Sequence, residues 1–317
     1  MNQQTAETAN SKQNITYLYM TIQNKQSSAT PAPFQQEIIF NANNYTKYES
    51  ANLGNIRIFN SENQQMNFWC QSGCSNTSTK TILYMKIPNG IPASTTQQYK
   101  VEFLNKAVTY NGTTAGEAPQ LSSTYAEHDN GPNVFIDYWN FAGTTTPSGV
   151  SLQSGFSVND GLQASFGSGG GEAVFTLPTT YPFIFSIYEE SLTAPSWYSN
   201  SWAFDTNPDN YGAGTRMGGT GYWSGGETSS PTVSQLPALF SYTETSGETS
   251  NPVWNYTNQQ SGNSGFLSNR QSNSYNLNSI LVYAGNGDSV QGTWLYAYVT
   301  AYPPNGIMPT VTFGSVQ

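Results

Sequence analysis

Residues 81–87 read Thr-Ile-Leu-Tyr-Met-Lys-Ile. In an extended chain successive side chains point to opposite faces. Leu83, Met85 and Ile87 therefore share one face, and Ile82, Tyr84 and Lys86 share the other. The first set reads as a core-facing row at period two, the signature of a β-strand.

Similar segments recur on both sides at regular spacing, broken by Gly, Pro and Asn. Before it come Ile15–Ile22, Gln36–Phe40 and Asn55–Phe59, and after it Gln98–Leu104. A turn-rich stretch, Tyr110–Pro132, reads as a connector. Strands resume at Val134–Trp139, Phe156–Val158, Leu162–Phe166, Glu172–Leu177 and Tyr181–Tyr188. A long stretch dense in Gly, Trp, Tyr and Asn, Ser191–Ser234, reads as irregular. Strand patterns return at Ala238–Thr243, Gly265–Leu267, Asn278–Tyr283 and Thr293–Tyr302. No amphipathic helix is evident, and Asn43–Ala51 has room for a single turn. Many short strands with turns and no helices imply an all-β chain of two β-sandwich, jelly-roll-like domains in tandem. The expected boundaries are an N-terminal arm over 1–13, a first sandwich over 14–110, a connector over 111–132 and a second sandwich over 133–317.

Composition narrows the function. Only 9% of the 317 residues are charged, against about 25% in an ordinary globular domain. Aromatic residues make up 14%, which separates the chain from disordered polar sequences. Few charges leave few ionic groups to desolvate when copies pack side by side, as in a coat, lattice or filament. The same composition suits an acidic habitat. The net charge is −9, with ten Lys and Arg and no basic cluster, so nucleic-acid binding, which needs phosphate-neutralising cations, is not expected. No apolar run approaches the ~20 residues of a membrane span. Met1–Gln13 lacks the basic and apolar segments of a secretory leader. The chain is read as extracellular, at a cell surface or virion surface.

Cys70 and Cys74 stand in CQSGC. The spacing is wrong for a redox CxxC pair, and the lone His128 is too far away in sequence to complete a zinc site. A local disulfide across Ser72-Gly73 is the favoured reading, and two buried thiols the other. Sequons at Asn14, Asn44, Asn76, Asn111 and Asn255 permit glycosylation.

Two segments resemble known families. NIRIFNSENQQMNFWCQSG, continued by TKTILYMKIPNGIPASTTQQYKVEFLN, resembles the domain of unknown function numbered 2341 of secreted archaeal and bacterial proteins. That family has an Asp where Asn55 stands and a Glu where Gln71 stands, while Arg57 and Trp69 match. The second half resembles a concanavalin A-like lectin or glucanase sandwich, through GEAPQLSSTYAEHDNGPNVFIDYWNFAG, FSVNDGLQAS and WLYAYVTAYPPNGIMPTVTFG. The resemblance implies an archaeal surface protein and leaves chemistry open.

Glucanases of that fold project alternating carboxylates from one strand into a cleft. No E-x-D-x-x-E arrangement is present, and Glu189 and Glu190 are adjacent, so they point to opposite faces. The chain is not expected to be an enzyme. His128, in EHDN, reads as an ordinary connector residue. Asp205, Asn207 and Asp209 alternate as calcium ligands do, but Asn210 and Arg216 depart from the loop pattern and a turn cluster explains them as well. Trp197, Tyr198, Trp202, Tyr211, Tyr222 and Trp223 form an aromatic stretch with three readings: cover over the core, contact with another subunit, or a glycan platform. Trp69 and Arg57 read as structural, with Arg57 able to stack on the indole. The arm joined to Ile15–Ile22 suits strand addition to a neighbour's sheet edge. The expected function is a structural subunit of a filament, surface layer or coat that pairs with copies of itself. The alternative is a glycan-binding adhesin or virion attachment protein using the aromatic stretch.

Overall fold

The computed structural model describes residues 15–178, 182–193, 236–244, 279–284 and 287–317, together with the backbone of strands at 200–203, 212–216, 219–224, 227–233, 253–258 and 264–268. The chain is all-β, built from sheets that are antiparallel apart from one parallel pair and that stack face to face.

The first sandwich contains β1 (Thr16–Gln23), β2 (Phe34–Phe40), β3 (Ile56–Phe59), β4 (Phe68–Ser72), β5 (Thr81–Ile87), β6 (Thr96–Phe103) and β7 (Ala115–Glu117). The second begins with β8 (Asp137–Trp139), β9 (Val150–Leu152), β10 (Phe156–Val158), β11 (Leu162–Phe166), β12 (Gly169–Phe175) and β13 (Phe183–Thr193). It continues through β14 (Asn200–Ala203), β15 (Gly212–Arg216), β16 (Gly219–Ser224), β17 (Glu227–Val233) and β18 (Ala238–Glu244). The last strands are β19 (Val253–Asn258), β20 (Ser264–Ser268), β21 (Ser279–Ala284), β22 (Val290–Ala301) and β23 (Thr310–Phe313).

Four sheets result. The first has the order β23-β1-β6-β3 and the second β2-β5-β4-β7. The third runs β10-β11-β22-β13-β18-β19-β20, with β8 also on β22, and the fourth β17-β16-β15-β14-β21-β12-β9. Leu83, Met85 and Ile87 fill the core between the first two sheets, with Met20, Ile38 and Phe103. A second core lies between the third and fourth sheets, around Phe175, Phe185, Phe240 and Trp294.

The other face of β5 is covered as well. Tyr84 is buried, and Ile82 packs beside it against residues of the third sheet. On β22, Ala297 and Val299 face the second core while Tyr296 and Tyr298 face the first sandwich. The second and third sheets therefore lie back to back, each covered on both faces. The architecture is a four-layer stack with three apolar interlayers.

Two strands complete a sandwich from outside its expected range. β7, in the predicted connector, pairs parallel with β4. β23, in the range given to the second sandwich, pairs with β1 of the first, with Met20 opposite Phe313. Four-residue strands carry too little pattern to reveal such long-range partners. The expected turn at 43–51 is present as a 3-10 segment, Ala42–Tyr45. A one-turn helix at Gly131–Val134 was not anticipated.

The stretch from 191 to 234, expected to be irregular, supplies β14 to β17. Trp202 pairs in register with Gly214, Trp223 with Gly212 and Tyr222 with Ala213. Large residues opposite glycine or alanine make a ladder that reads locally as a Gly-rich loop.

Candidate functional site

The chemically distinctive feature is the seam between the two inner sheets. Its centre is Trp69 on β4, fully buried. The indole meets Phe135 edge-on at 5.1 Å, Tyr296 at 5.3 Å and Tyr138 at 6.0 Å between ring centroids. Phe135 stacks on Tyr298 at 4.3 Å, and Tyr188 stacks on Tyr296 at 4.9 Å. Such pairs contribute about 0.5–1.5 kcal/mol each beyond the area they bury.

A buried tryptophan N–H usually finds an acceptor. Trp69 Nε1 donates to Asp129 Oδ1 at 2.9 Å. The same oxygen accepts the Gly131 backbone N–H at 2.9 Å. Asp129 Oδ2 accepts the Tyr138 hydroxyl at 2.8 Å and Asn140 Nδ2 at 2.8 Å. Burial pushes the Asp129 carboxyl above its ordinary pKa, and the four donors oppose that rise. The geometry requires glycine at 131, where a Cβ would run into the Tyr138 ring.

Polar side chains cross the seam elsewhere. Gln71 Nε2 donates to the Tyr298 hydroxyl at 2.9 Å. Gln35 on β2 accepts the Ala301 N–H at 2.9 Å and donates to Val134 O at 3.3 Å. Within the second sheet itself, the Tyr84 hydroxyl donates to Glu37 Oε2 at 3.1 Å. Tyr125 shares its proton between Asn140 O and Leu295 O, both at 2.6 Å. The turn-rich connector is thus packed into the seam and hydrogen-bonded to both sandwiches.

A second polar cluster lies inside the first sandwich. Arg57 does not stack on Trp69, since the two stand on different sheets. Its guanidinium donates to Gly54 O at 2.8 Å, Ile56 O at 2.6 Å and Thr109 O at 2.9 Å. Asn55 accepts the Ser50 N–H at 2.8 Å and donates to Tyr48 O and Leu104 O at 3.0 and 2.7 Å. A carboxylate at 55 has no protons for those two carbonyls, which accounts for the amide. Glu49 is fully buried beside a cavity walled by Leu18, Ile56, Val101 and Phe103. Neither of its carboxyl oxygens has a hydrogen-bond partner among the described residues. Burial raises its pKa to about 8, against a small opposing pull from Lys106. Glu37 and Glu117 are also raised by burial.

The other predicted residues are dispersed. Cys70 and Cys74 are joined by a disulfide, with Cα atoms 6.1 Å apart. His128 Nε2 lies 4.0 Å from Glu127 Oε1. Asn44 and Asn111 are exposed and Asn76 is half-buried, and the Asn111 amide oxygen accepts the N–H groups of Thr113, Thr114 and Ala115. Asn255 lies on β19, known by its backbone only. Trp202, Tyr222 and Trp223 occupy strand positions rather than loops. Trp197, Tyr198, Tyr211, the calcium candidates Asp205, Asn207 and Asp209, and Asn14 lie outside the described residues. Among the described residues no group of three or more His, Cys, Asp or Glu is placed to hold a metal, and no helix is long and apolar enough to cross a membrane.

No family model matches the chain. It is 35% identical over 127 residues to "Uncharacterized protein 562" of Sulfolobus islandicus rod-shaped virus 1, a match covering 40% of this chain and 22% of that protein. The chain thus spans about a fifth of that relative's length. Among solved structures, a protein of unknown function from Shewanella oneidensis MR-1, SO2946, aligns over 52% of this chain and 80% of its own, with a TM-score of 0.34 and 8% identity.

Proposed function

We propose that the protein is a non-catalytic structural subunit of an extracellular filament, surface layer or virion coat, working by association with copies of itself. The observation that carries this reading is the hydrogen-bonded seam that joins the two inner sheets into one body. Across it the Trp69 N–H reaches Asp129, Gln71 donates to Tyr298 and Gln35 accepts the Ala301 N–H. The low charge and the likeness to a protein of an archaeal virus favour the same reading.

Negative-stain electron microscopy of the purified protein, across pH and concentration, tests it. Regular filaments, sheets or rings are expected. Separate monomers under every condition would overturn the reading, and a glycan screen would then examine the adhesin alternative, with sugar-dependent quenching of tryptophan fluorescence as its readout.

A further inference from the structure

β23 stands at the end of the first sheet, paired on one side only, with β1. The pairing runs on beyond the strand, because the Gly314 N–H donates to Tyr19 O at 2.8 Å and the Gln317 N–H to Tyr17 O at 2.7 Å. In an antiparallel ladder alternate residues turn their backbone polar groups to opposite sides. Gly314 fixes the phase: residues 310, 312 and 314 face β1, so Val311 and Phe313 turn their N–H and C=O groups outward. No described residue bonds to those groups.

Sheet edges are ordinarily guarded by charge, proline, a bulge or a covering segment. The edge at β3 is covered, with Gln65 bridged to Phe59 and the Met66 N–H on Ile58 O. The edge at β7 is covered by the connector, through the Glu117 N–H on His128 O. Residues 310–317, TVTFGSVQ, contain no charge and no proline. Beside them on β1 the Tyr19 ring is 41% exposed and packs edge-on against Tyr17 at 5.6 Å.

We propose that this edge is a self-association surface, where β23 pairs antiparallel with β23 of a second copy across a two-fold axis. The proposal rests on the assembly reading above and names the contact. The edge is self-complementary. With the axis at Thr312, Val311 of each copy forms a hydrogen-bonded pair with Phe313 of the other. Both apolar residues stay on the core side in both copies, while Thr310 and Thr312 stay on the outer face. No like charges meet. The four-stranded sheet continues as one eight-stranded sheet. The polar stretch at 1–14, poor in β-branched and aromatic residues, fits the edge less well.

Two full-length variants test this. Thr312 is exposed, so neither disturbs a core. A residue on the axis forms a non-hydrogen-bonded pair with Cα atoms about 4.5 Å apart, within disulfide reach. Thr312→Cys should therefore give a disulfide dimer on a non-reducing gel, many-fold above that of Ser61→Cys, a control at another exposed site. Thr312→Lys should cut the assembled fraction at least tenfold while leaving the melting temperature unchanged. Wild-type assembly that Thr312→Lys leaves intact, with no extra cross-linking at 312, would overturn this contact and leave the assembly reading standing. Loss of assembly on deleting residues 1–13, with Thr312→Lys unaffected, would place the arm at the contact and overturn the proposal. Wild-type protein that stays monomeric at every concentration would overturn both readings.

Discussion

Trp69 and Asp129, sixty residues apart in sequence, are joined by a 2.9 Å hydrogen bond at the centre of the seam. One comes from a strand of the first sandwich and the other from the connector. The bond ties the packing of two aromatic layers to the satisfaction of one buried carboxylate.

Asp129→Asn tests that coupling. The carboxylate accepts from four donors. An amide must turn its NH2 group toward two of them. The expected loss is about 1–3 kcal/mol of unfolding free energy, the usual cost of a buried donor left without an acceptor. Urea unfolding of the two proteins measures it. A variant as stable as wild type would mean that the carboxylate does not hold the seam.

Glu49 makes stability depend on pH. Its folded pKa, about 8, lies above the ordinary 4.5 because burial penalises the charged form. The folded state therefore holds this proton more tightly than the unfolded state. The contribution is fully present below pH 4.5 and is lost as pH rises through 8, with a slope of up to about 1.4 kcal/mol per pH unit. Glu37, Glu117 and Asp129 are shifted in the same direction. Unfolding free energy should fall between pH 4.5 and 8, and Glu49→Gln should flatten that fall. Parallel profiles for the two proteins would remove Glu49 from the account.

The Cys70–Cys74 disulfide closes a very short loop. Constraining so few residues in the unfolded chain stabilises by about 2 kcal/mol in the loop-entropy model. Reduction should lower the melting temperature by a few degrees without unfolding the protein, since Trp69 and Phe68 anchor β4 independently. Complete unfolding on reduction, followed by circular dichroism, would assign the disulfide a larger part than its loop allows.

The sequence made the inner rows legible. Leu83, Met85 and Ile87 alternate as a half-buried strand must, and they face the core. It did not reveal that Tyr84, on the other face, is also covered. Alternation divides the faces of a strand without saying what lies against each, and tyrosine is compatible with solvent or with an interlayer. Asp129 was passed over beside His128 because a carboxylate in a turn-rich connector resembles any solvated acid. The available signal was Trp69, since a buried indole N–H usually finds an acceptor. Arg57 bonds backbone carbonyls rather than stacking on Trp69, because nearness in sequence does not place two residues on one sheet. The strands that carry Trp202, Tyr222 and Trp223 were hidden by Gly212 and Gly214, paired in register with two of them, which read locally as turns.

The central claim is that the seam makes two sandwiches one cooperative body. Differential scanning calorimetry of the intact chain, wild type beside Trp69→Ala, tests it most directly. Truncating this buried indole costs about 3–5 kcal/mol and leaves Asp129 without one of its donors. Wild type should melt in a single transition, and Trp69→Ala should separate it into two, with the first at markedly lower temperature. Two well-resolved transitions in wild type, at midpoints that Trp69→Ala leaves in place, would contradict the account.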